Sequence, residues 1–256
     1  MAETILVWKP VAIAIAGGVL PSLVWLWFWL KQDSKSPEPT GLIALSFFAG
    51  MAIVYFVLPL QKLVLASIDS IMNMMDVLAI KLTLLAPDEE TVRVTLWAFI
   101  EEFAKYATVF LIAFKSKFFD EPMDAVIYLI TAALGFSAME NTLYIFKDLS
   151  TGGAFEILAN GNMRFIGATI VHIVSSAFIG IAIAFSFYAS KYIKFIAVTL
   201  GIITATLLHA YFNLSIIESD GTMKTLLVFS QFWGAVIGII VLLALVKRIS
   251  RPESIN

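Results

Sequence analysis

Two histidines occur in 256 residues, and each stands in an apolar run that also carries a serine pair or an amide. His172 is followed by Ser175 and Ser176, and His209 by Asn213 at i+4. Two further apolar runs hold the remaining buried-type ionisable groups: Glu101, Glu102 and Lys105 in one, Glu140 and Asn141 in the other. Lys105 lies four residues after Glu101 and three after Glu102, so on a helix it can bridge both carboxylates and leave the group one negative charge. No serine or lysine has the partner pattern of a covalent nucleophile, and cysteine is absent. Carboxylates, imidazoles and an amide suit water activation. A glutamate held ionised by Lys105 takes a proton from water, while His172, His209 and Asn213 stabilise an oxyanion or coordinate a metal. Imidazole and carboxylate are good zinc ligands, although the spacing is not that of H-E-x-x-H.

The elements that carry these groups are membrane spans. Hydrophobic residues make up 60% of the chain and charged ones 14%, against roughly 25% charged in soluble domains. Mean hydropathy is +0.92. A soluble enzyme is excluded, and a net charge of −2 leaves no basic surface for nucleic acid. Runs long enough to cross a bilayer cover Pro10–Leu30, Gly41–Leu65, Val92–Phe114, Met123–Phe146, Phe165–Ala189, Phe195–Ile217 and Met223–Val246. Ser67–Ala86 is apolar too, but Asp69, Asn73 and Asp76 share one helical face, which favours an amphipathic helix at the interface over an eighth span. Pro87-Asp-Glu-Glu90 has the composition of a helix start. Trp25, Trp27 and Trp29 with Lys31 read as an interfacial anchor. The expected fold is an all-α polytopic transmembrane helical bundle of seven to eight spans, one integral membrane domain over 1–256, with residues 92–217 forming a four-helix core that carries the polar groups.

Orientation follows from lysine and arginine in the short connections. Lys115 and Lys117, Lys191 and Lys194, and Lys247, Arg248 and Arg251 fall on one side. Lys147, Arg164 and Lys224 on the other are diluted by Asp148, Glu156, Glu218 and Asp220. The C-terminus is therefore expected in the cytoplasm, with the N-terminus outside for seven spans and inside for eight. Measured from the cytoplasmic side at 1.5 Å per residue, Glu101 and Glu102 lie at about 20 Å, Glu140 at about 27 Å, His172 at about 28 Å and His209 at about 22 Å. Four helices thus bring their polar residues to one level in the outer half of the membrane, where unrelated packing residues would have no reason to agree. The Ser175–Ser176 pair is expected to bond back to its own helix and is given no role.

Taken in order, the motifs resemble a known family. Glu101-Glu102-Phe-Ala-Lys105 resembles the EExxK motif of PrsW-type intramembrane proteases, and Phe136-Ser-Ala-Met-Glu140-Asn141, just after Gly135, resembles its second motif. His172 and His209-Ala-Tyr-Phe-Asn213 resemble the third and fourth. The wider superfamily of CAAX prenyl endopeptidases and bacteriocin-processing enzymes shows EExxxR and FxxxH at these places, so the departures favour the PrsW branch. The resemblance spans residues 92–215. It implies an endopeptidase of a prokaryotic cell membrane that cuts a membrane-anchored protein, of which an anti-sigma factor is the type, near the extracytoplasmic side. It makes Glu101 or Glu102 the general base and gives His172 and His209 the carbonyl or a divalent metal such as zinc, with Asn213 at the oxyanion. Glu101, Glu102, Glu140, His172 and His209 are the available metal ligands. The competing readings are a proton- or ion-coupled transporter using the same groups as a relay, and a non-catalytic scaffold.

Overall fold

The computed structural model describes residues 2–33, 36–82, 87–151, 154–219 and 222–249. The side chains of Lys81, Glu156 and Arg164, together with Asp220 and Arg251, lie outside that description. Seven helices follow one another: α1 (Ala2–Leu30), α2 (Thr40–Leu82), α3 (Glu89–Ile112), α4 (Pro122–Thr151), α5 (Ala154–Phe185), α6 (Lys191–Ile217) and α7 (Thr222–Val246), with a 3-10 turn at Lys31–Asp33. Six of them, all but α3, are long and apolar enough to cross a membrane. The α3 helix fails on composition alone. Its Glu101, Glu102 and Lys105 are buried inside the protein, so they burden the hydropathy without meeting lipid.

Helix α4 is the hub, packed against α1, α2 and α5. From Met123 to Ala138 nearly every residue is buried, on all faces of the helix. That is why its sequence shows no amphipathic stripe: a helix enclosed on every side has no polar face to present. Its approach to α2 is set by glycine. A Cβ on Gly135 would fall 1.9 Å from the Phe47 carbonyl oxygen, and one on Gly50 would fall 2.1 Å from that of Ala132. The two backbones therefore touch, as small residues permit between membrane helices.

One element departs from expectation. Gly41–Leu65 and Ser67–Ala86 are joined, as far as Leu82, in the single 43-residue helix α2. Neither glycine nor proline stands between Leu65 and Leu82, so nothing ends the helix where its polar face begins. At 1.5 Å per residue α2 is about 64 Å long, twice the hydrocarbon thickness. The expected helix start at Pro87–Glu90 is present: Asp88 caps α3, accepting from the Thr91 backbone N–H at 2.9 Å and its hydroxyl at 2.7 Å. The tryptophans divide. Trp27 is exposed beneath the Lys31 ammonium at 3.7 Å, as an anchor should be, whereas Trp29 is buried in the core.

Candidate active site

Helices α3, α4, α5 and α6 bring their polar residues together as one hydrogen-bonded cluster. At its centre is Glu102, which is fully buried. Glu102 Oε1 accepts from Lys105 Nζ at 2.6 Å and from His209 Nδ1 at 2.9 Å, and Oε2 accepts from the Ser176 hydroxyl at 2.9 Å. Every partner is needed, because a charge in this setting is costly unless paired and hydrogen-bonded. Lys105 does not bridge the two glutamates as the spacing suggested. Its ammonium turns from Glu102 to His172 Nδ1, 3.0 Å away. Phe136 lies beneath it at 4.8 Å from ring centroid to nitrogen.

These bonds fix both imidazoles. An ammonium has no lone pair, so Lys105 donates to His172 Nδ1 and the ring proton sits on Nε2, which faces Glu140 Oε2 at 3.0 Å. His209 donates through Nδ1 to Glu102, which turns the Nε2 lone pair toward Glu101 Oε2 at 3.7 Å. The two rings stand edge to face, 5.0 Å apart. Glu101 is held from the other side, its Oε1 accepting from the Gln61 amide of α2 at 2.8 Å, while Trp97 donates to the Gln61 carbonyl at 3.2 Å. Glu101 Oε2 is buried and has no hydrogen-bond partner among the described residues.

Beside the cluster lies a cavity of about 710 Å³. Glu101, Glu140, His172, His209 and Asn213 all line it, with Gln61 and apolar walls from α2, α4, α6 and α7. Glu102 and Lys105 lie behind it, and Asn213 stands one turn along α6 from His209. Asn141 is not brought to the site: its amide turns to Ser137 at 3.2 Å and Thr169 at 3.3 Å, between α4 and α5. Gln61 and Ser176 were missed by sequence reasoning. The position of Ser176 predicts a bond to its own helix, and the structure gives that bond to Glu102 instead. Gln61 carried a faint signal as a lone amide near the end of an apolar run.

The donor set fits a divalent metal. One ligand atom from each of Glu101, His172 and His209 lies within 4.8 Å of the other two, and all three residues are buried. The 3.7 Å from Glu101 Oε2 to His209 Nε2 is close to the roughly 3.3 Å between ligands in a tetrahedral zinc site with bonds of about 2.0 Å. Two histidines and a glutamate are a common catalytic zinc set. Glu102 behind His209 is the kind of carboxylate that orients a metal-binding imidazole. A metal at His172 Nε2 would take that nitrogen's lone pair, so the ring proton would move to Nδ1 and the Lys105 ammonium would give up one of its own to accept from it.

A helical bundle of membrane-spanning length that gathers such carboxylates and imidazoles beside a cavity has the groups a membrane-embedded hydrolase needs. Residues 38–246 match the PrsW family of intramembrane metalloproteases, and the chain belongs to that family. It is 26% identical over 178 residues to Protease PrsW of Geobacillus kaustophilus, covering 70% of this chain and 67% of that one. It is 22% identical to Protease PrsW of Halalkalibacterium halodurans, over 67% of this chain and 66% of the relative. With Protease PrsW of Bacillus subtilis it is 23% identical over 51% of this chain and 53% of the other. The chain thus spans about two thirds of the length of the first two relatives. No solved structure matches it.

Proposed function

We propose that the cavity binds a stretch of a membrane-anchored protein, of which an anti-sigma factor is the type, and that a water molecule there cleaves its peptide bond on the extracytoplasmic side. The observation that carries this is a pair on two residues that line the cavity: a carboxylate oxygen of Glu101 with no hydrogen-bond partner among the described residues and the Nε2 of His209, 3.7 Å apart. A divalent ion held by Glu101, His172 and His209 would supply Lewis acidity toward water and a carbonyl oxygen. Gln61 holds Glu101 Oε1, and Oε2 stands 3.7 Å from His209 Nε2. Glu102 fixes the tautomer of His209, and Lys105 holds His172 at Nδ1 while balancing the Glu102 charge. Glu140, whose side chain is 22% exposed and borders the cavity, takes the proton of water at Oε2 and returns it to the leaving amine. The oxygen of that water forms the new bond to the carbonyl carbon as the C–N bond breaks. Asn213 offers its amide to the carbonyl oxygen from the cavity wall.

The test is cleavage of a single-span substrate in proteoliposomes. Glu140→Gln should lower the rate by about 10²–10⁴, the range for loss of a general base. Glu101→Gln and His209→Ala should abolish both cleavage and binding of stoichiometric zinc, with thermal unfolding still cooperative. Full activity in Glu101→Gln would overturn the reading. Activity that survives chelation, in protein shown by elemental analysis to be metal-free, would remove the metal and make Glu101 the base.

A further inference from the structure

Three other carboxylates converge where α1 passes into α2 and α4 begins. Asp33 in the 3-10 turn, Glu38 just before α2 and Asp124 in the first turn of α4 each place one carboxylate oxygen within 4.8 Å of the other two. Sixteen residues of α4 separate Asp124 from Glu140, about 24 Å along the helix, so this group stands apart from the active-site cluster. Two of the three have protein partners. Asp124 Oδ2 accepts the backbone N–H groups of Asp120 at 2.9 Å and Glu121 at 2.7 Å, which ends the α3–α4 connection. Glu38 accepts the Tyr128 hydroxyl. Asp33 is different. It is 7% exposed, and its Oδ2 is enclosed without a hydrogen-bond partner among the described residues. The charges acting on it are mostly of its own sign, Glu38 and Glu121 against Lys247. Helix capping accounts for Asp124, but among the described residues nothing pairs the buried carboxylate at position 33, which lies within reach of the two others.

We propose that Asp33, Glu38 and Asp124 form a second cation site, for a hard divalent ion, magnesium or calcium. All three donors are carboxylate oxygens, with neither imidazole nor thiolate among them, and such a set selects hard cations over zinc. Asp33 and Glu38 also border a cavity of about 370 Å³ between α1 and α2, which leaves room for the water ligands both ions keep. The ion ties the α1–α2 connection to the start of α4, where Ser36 already donates to Glu121 at 2.8 Å. Its effect on the protein is to hold α4, the helix that carries Glu140, against α1 and α2.

Full-length protein in detergent, washed with chelator, is melted with and without millimolar magnesium or calcium chloride. The parent should gain stability saturably with either ion, and Asp33→Asn should not. In chelator alone Asp33→Asn should be at least as stable as the parent, because it removes an unpaired buried charge, so the order of the two proteins reverses when the ion is added. Terbium luminescence excited through Tyr128 gives a second readout. It should appear in the parent, fall on adding calcium, and be lost in Glu38→Gln as well as in Asp33→Asn. An unchanged ion response in Asp33→Asn overturns the site. So does a parent that ignores both ions and is stabilised only by acidification, which would mean that the three carboxyls share protons. Zinc content at the histidine cluster should be the same in parent and Asp33→Asn, so failure of either site is read separately.

Discussion

Ser175 and Ser176 are neighbours on one buried turn of α5, and their opposite circumstances show what a hydrogen bond is worth here. Ser176 donates to Glu102 Oε2, whereas Ser175 Oγ is buried with no hydrogen-bond partner. Ser176→Ala strips a donor from an enclosed carboxylate and should cost about 1–3 kcal/mol. It should also lower activity, because Glu102 orients His209. Ser175→Ala removes a hydroxyl that satisfies nothing and should leave stability unchanged or slightly raised. Equal effects of the two changes in a denaturant titration would contradict this account of the cluster. The same pair marks what was legible at this scale. Glu101, Glu102, Glu140, His172 and His209 could be read from the sequence because ionisable groups in spans are rare enough to need a reason. Their partners could not. A serine or a glutamine in an apolar helix has many innocent readings, and only the crossing of α2 and α5 over α3 reveals Gln61 and Ser176 as donors to the two glutamates. The pairing of Lys105 misled for the same reason, since helical spacing lets it bridge both glutamates, and only the packing of α5 on α3 gives its second contact to His172.

Among the elements, seven apolar runs predict the seven helices but set Ser67–Ala86 apart as a further one, and they give neither lengths nor neighbours. Asp69, Asn73 and Asp76 on one face set the second half of α2 apart in the sequence, yet a change of surrounding is not a stop signal. The closeness of α2 and α4 depends on Gly50 and Gly135, and glycine in an apolar run is ambiguous until the partner backbone is known. Gly135→Ala would place a methyl group 1.9 Å from the Phe47 carbonyl oxygen, and a backbone oxygen cannot rotate away. The helices must separate, at a cost of about 1–3 kcal/mol or more, as for other overpacked sites. Glu140 lies five residues along α4, so cleavage should fall as well. Gly234 and Gly238 of α7 are the controls, since a Cβ at either meets nothing within 4 Å. There alanine should gain up to about 1 kcal/mol from helix propensity. At the start of α3, the Thr91 backbone N–H holds the Asp88 carboxyl below the usual aspartate range. A depressed folded value means that this cap stabilises fully above the unfolded pKa, near 3.9, and is lost as the pH falls through the lower folded one. Hydrogen exchange at the first turn of α3 should therefore quicken in strong acid for the parent. In Asp88→Ala it should be quick at every pH.

For the whole molecule, the decisive question is which end of the bundle faces the cytoplasm. Contacts gather the α1–α2, α3–α4 and α5–α6 connections at one end: Ser36 donates to Glu121, and Phe119 packs on Phe187, their ring centroids 5.2 Å apart. That end carries Lys31, Lys115, Lys117, Lys191, Lys194 and Lys247. The other end holds Asp88, Glu89, Glu90, Asp148 and Glu218 among its charges. Positive charge in short loops stays on the cytoplasmic side, so the first end is expected there and the N-terminus outside, as a seven-helix count requires. The C-terminal half of α2 would then stand out beyond the membrane on the side from which the active-site cavity is nearer. Because the native chain has no cysteine, single cysteines can be introduced without a background. Glu218→Cys, exposed at the α6–α7 connection, should react with an impermeant maleimide in intact cells, and Lys117→Cys only after permeabilisation. The reverse pattern would turn the bundle over. It would place the cavity nearer the cytoplasmic face and move cleavage to that side, while leaving every contact in the cluster as it is.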